Sequence, residues 1–236
     1  MKYDNPAARL LLILEAGKAA PGTRACREVW QELLGISGST HELTARLGKV
    51  MQLPTLAVEE LRASYPLQDD TWTYWESQVS SAFMVQNVHA TWDTFINNID
   101  GHTMTYLKLA AELLQAKSER RLLDGEKLST TRSTLNGLIE EILASDEPSD
   151  VKAHVCRGLR RVVEAIDEYQ LTGALPFIDA IEATLGHAAF DKRYHSFLTD
   201  SALGKRTLET LSAAANTVTV FVGIPQLTLA IAQLTG

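Results

Sequence analysis

Between Thr210 and Gly236 the chain carries no Asp, Glu, Lys, Arg or His, although 22% of its residues are charged. A run this long without charge belongs against other apolar surface, in a protein core or in lipid. At about 1.5 Å rise per residue, a helix of this length crosses the roughly 30 Å hydrocarbon core of a bilayer. Helical steps of three and four residues align Asn216, Thr219, Gly223, Gln226, Ala230 and Gln233 in one polar or small seam, with Val218, Val220, Phe221, Val222, Ile224, Leu227, Leu229 and Ile231 around it. In lipid, such a seam faces an identical helix or a wet lumen, the arrangement of a homo-oligomeric pore. In a soluble bundle the same helix completes the core and its amides bond to neighbours. The alternation in TVTVFV is β-like, but no pairing strand lies nearby, so the stretch reads as helix.

The 236-residue chain as a whole has the composition of a globular protein, with 45% hydrophobic residues and only 7 Pro. A net charge of -7 argues against a general phosphate-coating protein and leaves room for a local basic pocket. Cys26 and Cys156 stand in no CxxC pattern and fit buried thiols in a reducing compartment. The apolar run LLLIL near the start is short for a signal sequence and is flanked by Asp4, Arg9 and Glu15, so it reads as a core helix of a cytosolic domain.

Breakers and apolar spacing predict an all-α fold. Asn5-Pro6 opens a helix from Ala7 to about Ala19, and Pro21-Gly22 ends it. Thr23 starts a second helix, to Leu34. Ser39 and Glu42 form a capping box for a third, Thr40 to Gln52, which Pro54 resets into LAVEELRAS. One long helix is predicted from about Thr71 to Asn97, with Trp72, Trp75, Val79 and Phe83 along its core side, and another from His102 to Ala116. The polar stretch SERRLLDGEKLSTTRS reads as a turn or boundary. Helices then come around Leu135 to Leu143, from Ser149 through RGLRRVVEAIDEYQ, over ALPFIDAIEATLG, and from Ala188 to Leu203. These divide the chain into an N-terminal helical subdomain (residues 1–66), a long-helix region (67–125), a regulatory or oligomerisation region (126–205) and the hydrophobic, membrane-spanning candidate (206–236).

No catalytic signature is present: no HExxH, no Gly-rich phosphate loop and no nucleophile elbow. The six histidines show no metal-ligand spacing, so neither a cofactor nor a metal site is expected and the chain does not read as an enzyme. The basic residues carry more. Arg157, Arg160 and Arg161 lie within one or two helical turns, and Arg120 and Arg121 form a second cluster. Either cluster can hold a nucleotide or short nucleic acid, or be neutralised by Glu164, Asp167 and Glu168. Lys192, Arg193, Lys205 and Arg206 precede the uncharged terminus. They fit either cytoplasmic headgroups beside a membrane helix or a basic turn paired with Asp191, Asp200 and Glu209.

In layout, with a helical domain before one polar-seamed hydrophobic segment and basic clusters such as RGLRR, the chain resembles the membrane effectors of bacterial antiphage systems, the Hailong channel-forming effectors among them. The resemblance implies a homo-oligomeric pore in the inner membrane, regulated by its cytoplasmic helical domain and by a nucleic-acid ligand. It covers no diagnostic motif, so it transfers no site residue. From the residues themselves, a soluble all-α binding protein, such as an immunity protein, antitoxin or adaptor, remains the other expectation.

Overall fold

Caps and breakers set where each helix begins and ends. The computed structural model describes residues 3–37, 39–118 and 122–222, and every regular element among them is helical apart from one isolated bridge between Ala25 and Thr91. Arg120, Arg121, Gly223, Gln226, Ala230 and Gln233 lie outside the described residues. The chain divides into two compact units, residues 1–118 and 119–236.

The first unit comprises α1 (Pro6–Ala19), α2 (Cys26–Leu33), α3 (Thr40–Ser64), α4 (Asp69–Val85), α5 (Asp93–Ile96) and α6 (Gly101–Lys117). Asn5 opens α1 as expected: its Oδ1 accepts from Ala8 N at 2.9 Å, and its Nδ2 donates to the Ala111 carbonyl of α6 at 3.1 Å. Pro54 does not reset the third helix. It sits inside α3, where Val50, Leu53, Ala57 and Leu61 are all at most 1% exposed, and their burial outweighs the lost backbone hydrogen bond and the ring clash.

The long helix expected from Thr71 to Asn97 is interrupted after Val85. Gln86 turns extended, Asn87 Oδ1 accepts from His89 N, and the chain passes back along residues 22–26 with Cys26 N donating to Ala90 O and Trp92 N to Arg24 O. What the turn gains is an aromatic cluster. Trp30 meets Trp92 and Phe95 edge-on at 5.0 Å and stacks on Phe83 at 6.0 Å, while Trp92 Nε1 donates to Gly17 O at 2.8 Å. All four tryptophans are at most 1% exposed, so the aromatic stripe is core.

The second unit comprises α7 (Gly125–Ala144), α8 (Ser149–Asp167), α9 (Tyr169–Thr172), α10 (Leu175–Gly186), a 3-10 turn (His187–Ala189), α11 (Lys192–Asp200) and α12 (Ala202–Val222). The polar stretch before Leu135 is helical from Gly125 because Asp124 caps it, its Oδ1 accepting from Glu126 N and Lys127 N. The element expected from Ala188 to Leu203 is broken twice, by Asp191, which caps α11, and at Ser201, where the chain doubles back into α12. That corner is tight: a Cβ at Gly204 would lie 1.7 Å from the Phe197 carbonyl oxygen.

α12 packs against α7, α10 and α11. Its inward face holds Thr207, Leu208, Leu211, Ala214, Ala215 and Val218, the last four of them at most 1% exposed. The described part of TVTVFV, through Val222, is helical. Among the described residues no helix is long and apolar enough to cross a membrane.

Candidate functional site

On α8, steps of three and four residues put His154, Arg157, Gly158 and Arg161 on one side, away from the buried row of Val151, Val155, Leu159 and Val162. Opposite them stand Ala183 and Thr184 of α10, His187 of the 3-10 turn and Tyr194 of α11. Together these residues line a cleft of about 170 Å³.

The floor of the cleft is closely fitted. A Cβ at Gly158 would come within 2.7 Å of Thr184 Cγ2, so glycine is what lets α8 approach α10 here. Thr184 Oγ1 donates back to Ala180 O at 2.7 Å, and the Thr184 carbonyl accepts from Tyr194 Oη at 3.0 Å. Tyr194 is 1% exposed, and burial holds its phenol well above the usual tyrosine range, so this hydroxyl serves as a fixed donor.

The wall is a stack of imidazoles. The His154 and His187 rings lie 4.8 Å apart at 11°, and Tyr194 meets the outer face of His187 edge-on at 5.1 Å. His154 Nδ1 lies 3.0 Å from Asp150 O; a carbonyl only accepts, so Nδ1 carries the hydrogen and Nε2 is the ring atom left over. His187 Nε2 is buried without a hydrogen-bond partner, with Asp191 Oδ2 at 3.8 Å. Backbone N–H donation from Tyr194, followed by that from Arg193 and by the nearby cations, holds the Asp191 carboxyl below the usual carboxylate range.

Arg157 and Arg161 stand exposed at the rim. Neither makes an ion pair or hydrogen bond among the described residues. The neutralisation expected of the neighbouring acids does not occur there: Asp167 takes Arg132 from α7 (Nε to Oδ1 2.5 Å), and Glu168 is buried. Arg160 points around the helix to a second hollow of about 530 Å³, shared with Arg157, Arg161, Leu143, Cys156 and Glu164. Burial pushes the Cys156 thiol up and the charges of Arg160 and Lys152 pull it partly back, so it is no activated nucleophile. Cys26, fully buried in the first unit, is pushed up to about 11 by the same cause.

The third basic cluster is partly spent on holding helices together. Arg193 Nη1 pairs with Asp150 Oδ2 at 2.7 Å, joining α11 to α8. Arg206 grips both carboxylate oxygens of Glu141, at 2.6 and 3.0 Å, joining α12 to α7. Lys192 and Lys205 are exposed. Of the expected terminal seam, Asn216 is exposed on α12, and the Thr219 side chain lies outside the described part of the structure. Among the described residues no group of three or more His, Cys, Asp or Glu side chains is placed to hold a metal.

Spacing brought out Arg157 and Arg161, and His154 comes from the same helical face. His187, Thr184 and Tyr194 reach the cleft only through the packing of α10 and α11 on α8, for which the sequence carries no local signal. Fold and cleft thus define the class: a two-unit all-α protein whose second unit holds a cleft with two arginines unpaired among the described residues. Comparison with protein-family models, curated proteins and solved structures finds no match to this chain.

Proposed function

We propose that the chain is an all-α binding protein whose C-terminal helix completes the core of its second unit. One observation carries this reading: Leu211, Ala214, Ala215 and Val218, all within the uncharged stretch, are at most 1% exposed in contact with the rest of that unit. Residues that a pore-forming helix would give to lipid or lumen are thereby used as core. Immunity proteins, antitoxins and adaptors are proteins of this kind, acting by presenting a folded surface rather than by chemistry.

A second reading, the regulated membrane effector of an antiphage system, is favoured by a different observation. Residues 219–236 contain no charge, and at about 1.5 Å per residue a helix through them measures roughly 27 Å, close to a bilayer's hydrocarbon thickness. In that reading α12 is rooted in the bundle through Val218, and oligomerisation and insertion belong to residues 219–236.

Two truncations separate the readings. Deleting residues 210–236 removes Leu211 to Val218 and, on the first reading, unfolds the second unit, whereas deleting 219–236 leaves both fold and fractionation unchanged. If instead the full chain sediments with membranes and depolarises cells, and deletion of 219–236 alone releases a folded protein into the soluble fraction, the membrane reading replaces the first.

A further inference from the structure

We infer that the cleft between α8 and α10, walled by His154 and His187, binds a phosphate dianion, free or as a phosphomonoester, through Arg157 and Arg161. The inference rests on the binding-protein reading and names its ligand class.

Charge is the first ground. In a chain of net charge -7, two guanidinium groups one helical turn apart are left unpaired among the described residues. Side chains at i and i+4 sit about 5–6 Å apart at Cβ, close enough for both to reach one tetrahedral anion. The carboxylates nearby do not occupy them. Asp150 is engaged by Arg193, and Asp191 spends Oδ1 on the first backbone N–H groups of α11. Glu164, one turn further along α8, lines the second hollow with both arginines and pairs with neither among the described residues.

Shape is the second ground. The cleft has a fixed floor, where Gly158 admits Thr184 at a separation no other residue permits, and a flat wall of stacked imidazoles held from behind by Tyr194. With Nδ1 committed to Asp150 O, His154 offers Nε2 as its one remaining polar atom. A planar carboxylate monoanion satisfies one guanidinium fork. A phosphate dianion offers acceptors to both forks at once, and its two charges match theirs. About 170 Å³ holds one phosphate group and its link to a small body.

The test is isothermal titration of the full chain with inorganic phosphate in one arm and adenosine monophosphate in the other. Saturable binding is expected in at least one arm. Equal affinity in both assigns the free anion, and tighter binding of the nucleotide assigns the ester. Arg157→Gln and Arg161→Gln should each weaken binding roughly tenfold or more, the scale of one lost charge-assisted hydrogen bond. Both side chains are exposed, so the variants should keep the wild-type circular dichroism spectrum and Tm. Lys205→Gln, a cation outside the cleft, should leave binding unchanged. Absence of binding in both arms overturns the inference, as does an equal loss on Lys205→Gln, which would mark diffuse electrostatic attraction. If arginine-dependent binding is absent while deletion of 219–236 leaves a soluble, folded protein, the phosphate site falls and the binding-protein reading stands. If the chain enters membranes through 219–236 and arginine-dependent binding persists, the site stands and that reading falls.

Discussion

Leu211→Ala tests directly whether the start of the uncharged stretch is core. Leu211 is 0% exposed at the middle of the inward face of α12. Of its neighbours one turn away on the same helix, Thr207, Ala214 and Ala215 are small and at most 1% exposed, so within α12 only Leu208 has a long side chain beside the vacated space. Leu→Ala changes at buried sites cost about 2–5 kcal/mol, and poor collapse places this one around 3 kcal/mol or above. Against a domain stability of roughly 5–15 kcal/mol, and at about 4 °C per kcal/mol, that lowers the second unit's Tm by roughly 12 °C. All four tryptophans are in the first unit, so their fluorescence follows that unit while far-ultraviolet circular dichroism follows all helices. The variant should therefore lose part of its helical signal early in a thermal or urea ramp. Glu209→Gln, on the exposed side of α12, should remain within about 0.5 kcal/mol of wild type. A Leu211→Ala midpoint within about 0.5 kcal/mol of wild type would refute the burial argument, since a side chain facing solvent or awaiting a bilayer costs nothing to shorten in water.

Gly204→Ala should destabilise the second unit by at least the roughly 1–3 kcal/mol of an overpacked core, because the new methyl meets the backbone carbonyl of Phe197 rather than a side chain able to move; a wild-type unfolding midpoint would count against this geometry. In the first unit, Asp100 accepts from Tyr74 Oη and Thr103 N, each at 2.6 Å; these bonds, the tyrosine's first, lower its carboxyl from an ordinary 3.8 to about 2. A depressed carboxylate stabilises the fold at pH above its unfolded value and loses that contribution as pH falls through its folded one, so the effect should disappear between about pH 4 and pH 2. Tyr74→Phe should move the Asp100 titration, followed by carboxyl NMR, back toward 3.8, and an unmoved titration would assign the shift elsewhere.

Helix identity was legible wherever a local signal set it. Asn5-Pro6 and Ser39 with Glu42 each mark a cap the structure uses, because capping needs only a side-chain oxygen and the next few N–H groups, whereas Asp124, read within a turn or boundary, proves to cap α7. Continuity was less legible. Pro54 looks like a stop in a one-dimensional reading, yet its helix is held on both sides by buried leucine and valine. The segment from Gln86 to Thr91 looks helical by spacing, yet it turns back to deliver Trp92 to Trp30 and Gly17. In both places a tertiary contact outweighs a local preference, and the chain gives no local sign of which partner will be there. The cleft divides the same way, with His154, Arg157 and Arg161 readable from one helix and Thr184, His187 and Tyr194 supplied by others.

The uncharged terminus takes on a definite internal division from this packing. At about 100° per residue, Asn216 lies roughly 140° around α12 from Leu211, which agrees with its exposure. The first residue of the expected seam thus points away from the core that Leu211, Ala215 and Val218 help to build. A single helix running from the bundle therefore keeps its apolar face for the second unit and turns its amide outward. Outward amides need water, a partner helix or a lumen. At Asn216 the polarity of the stretch lies on the exposed side of a helix whose opposite side is core. Because Leu211 to Val218 contribute to the core of the second unit, deletion of 219–236, rather than of the whole uncharged run, tests a membrane role without removing that core.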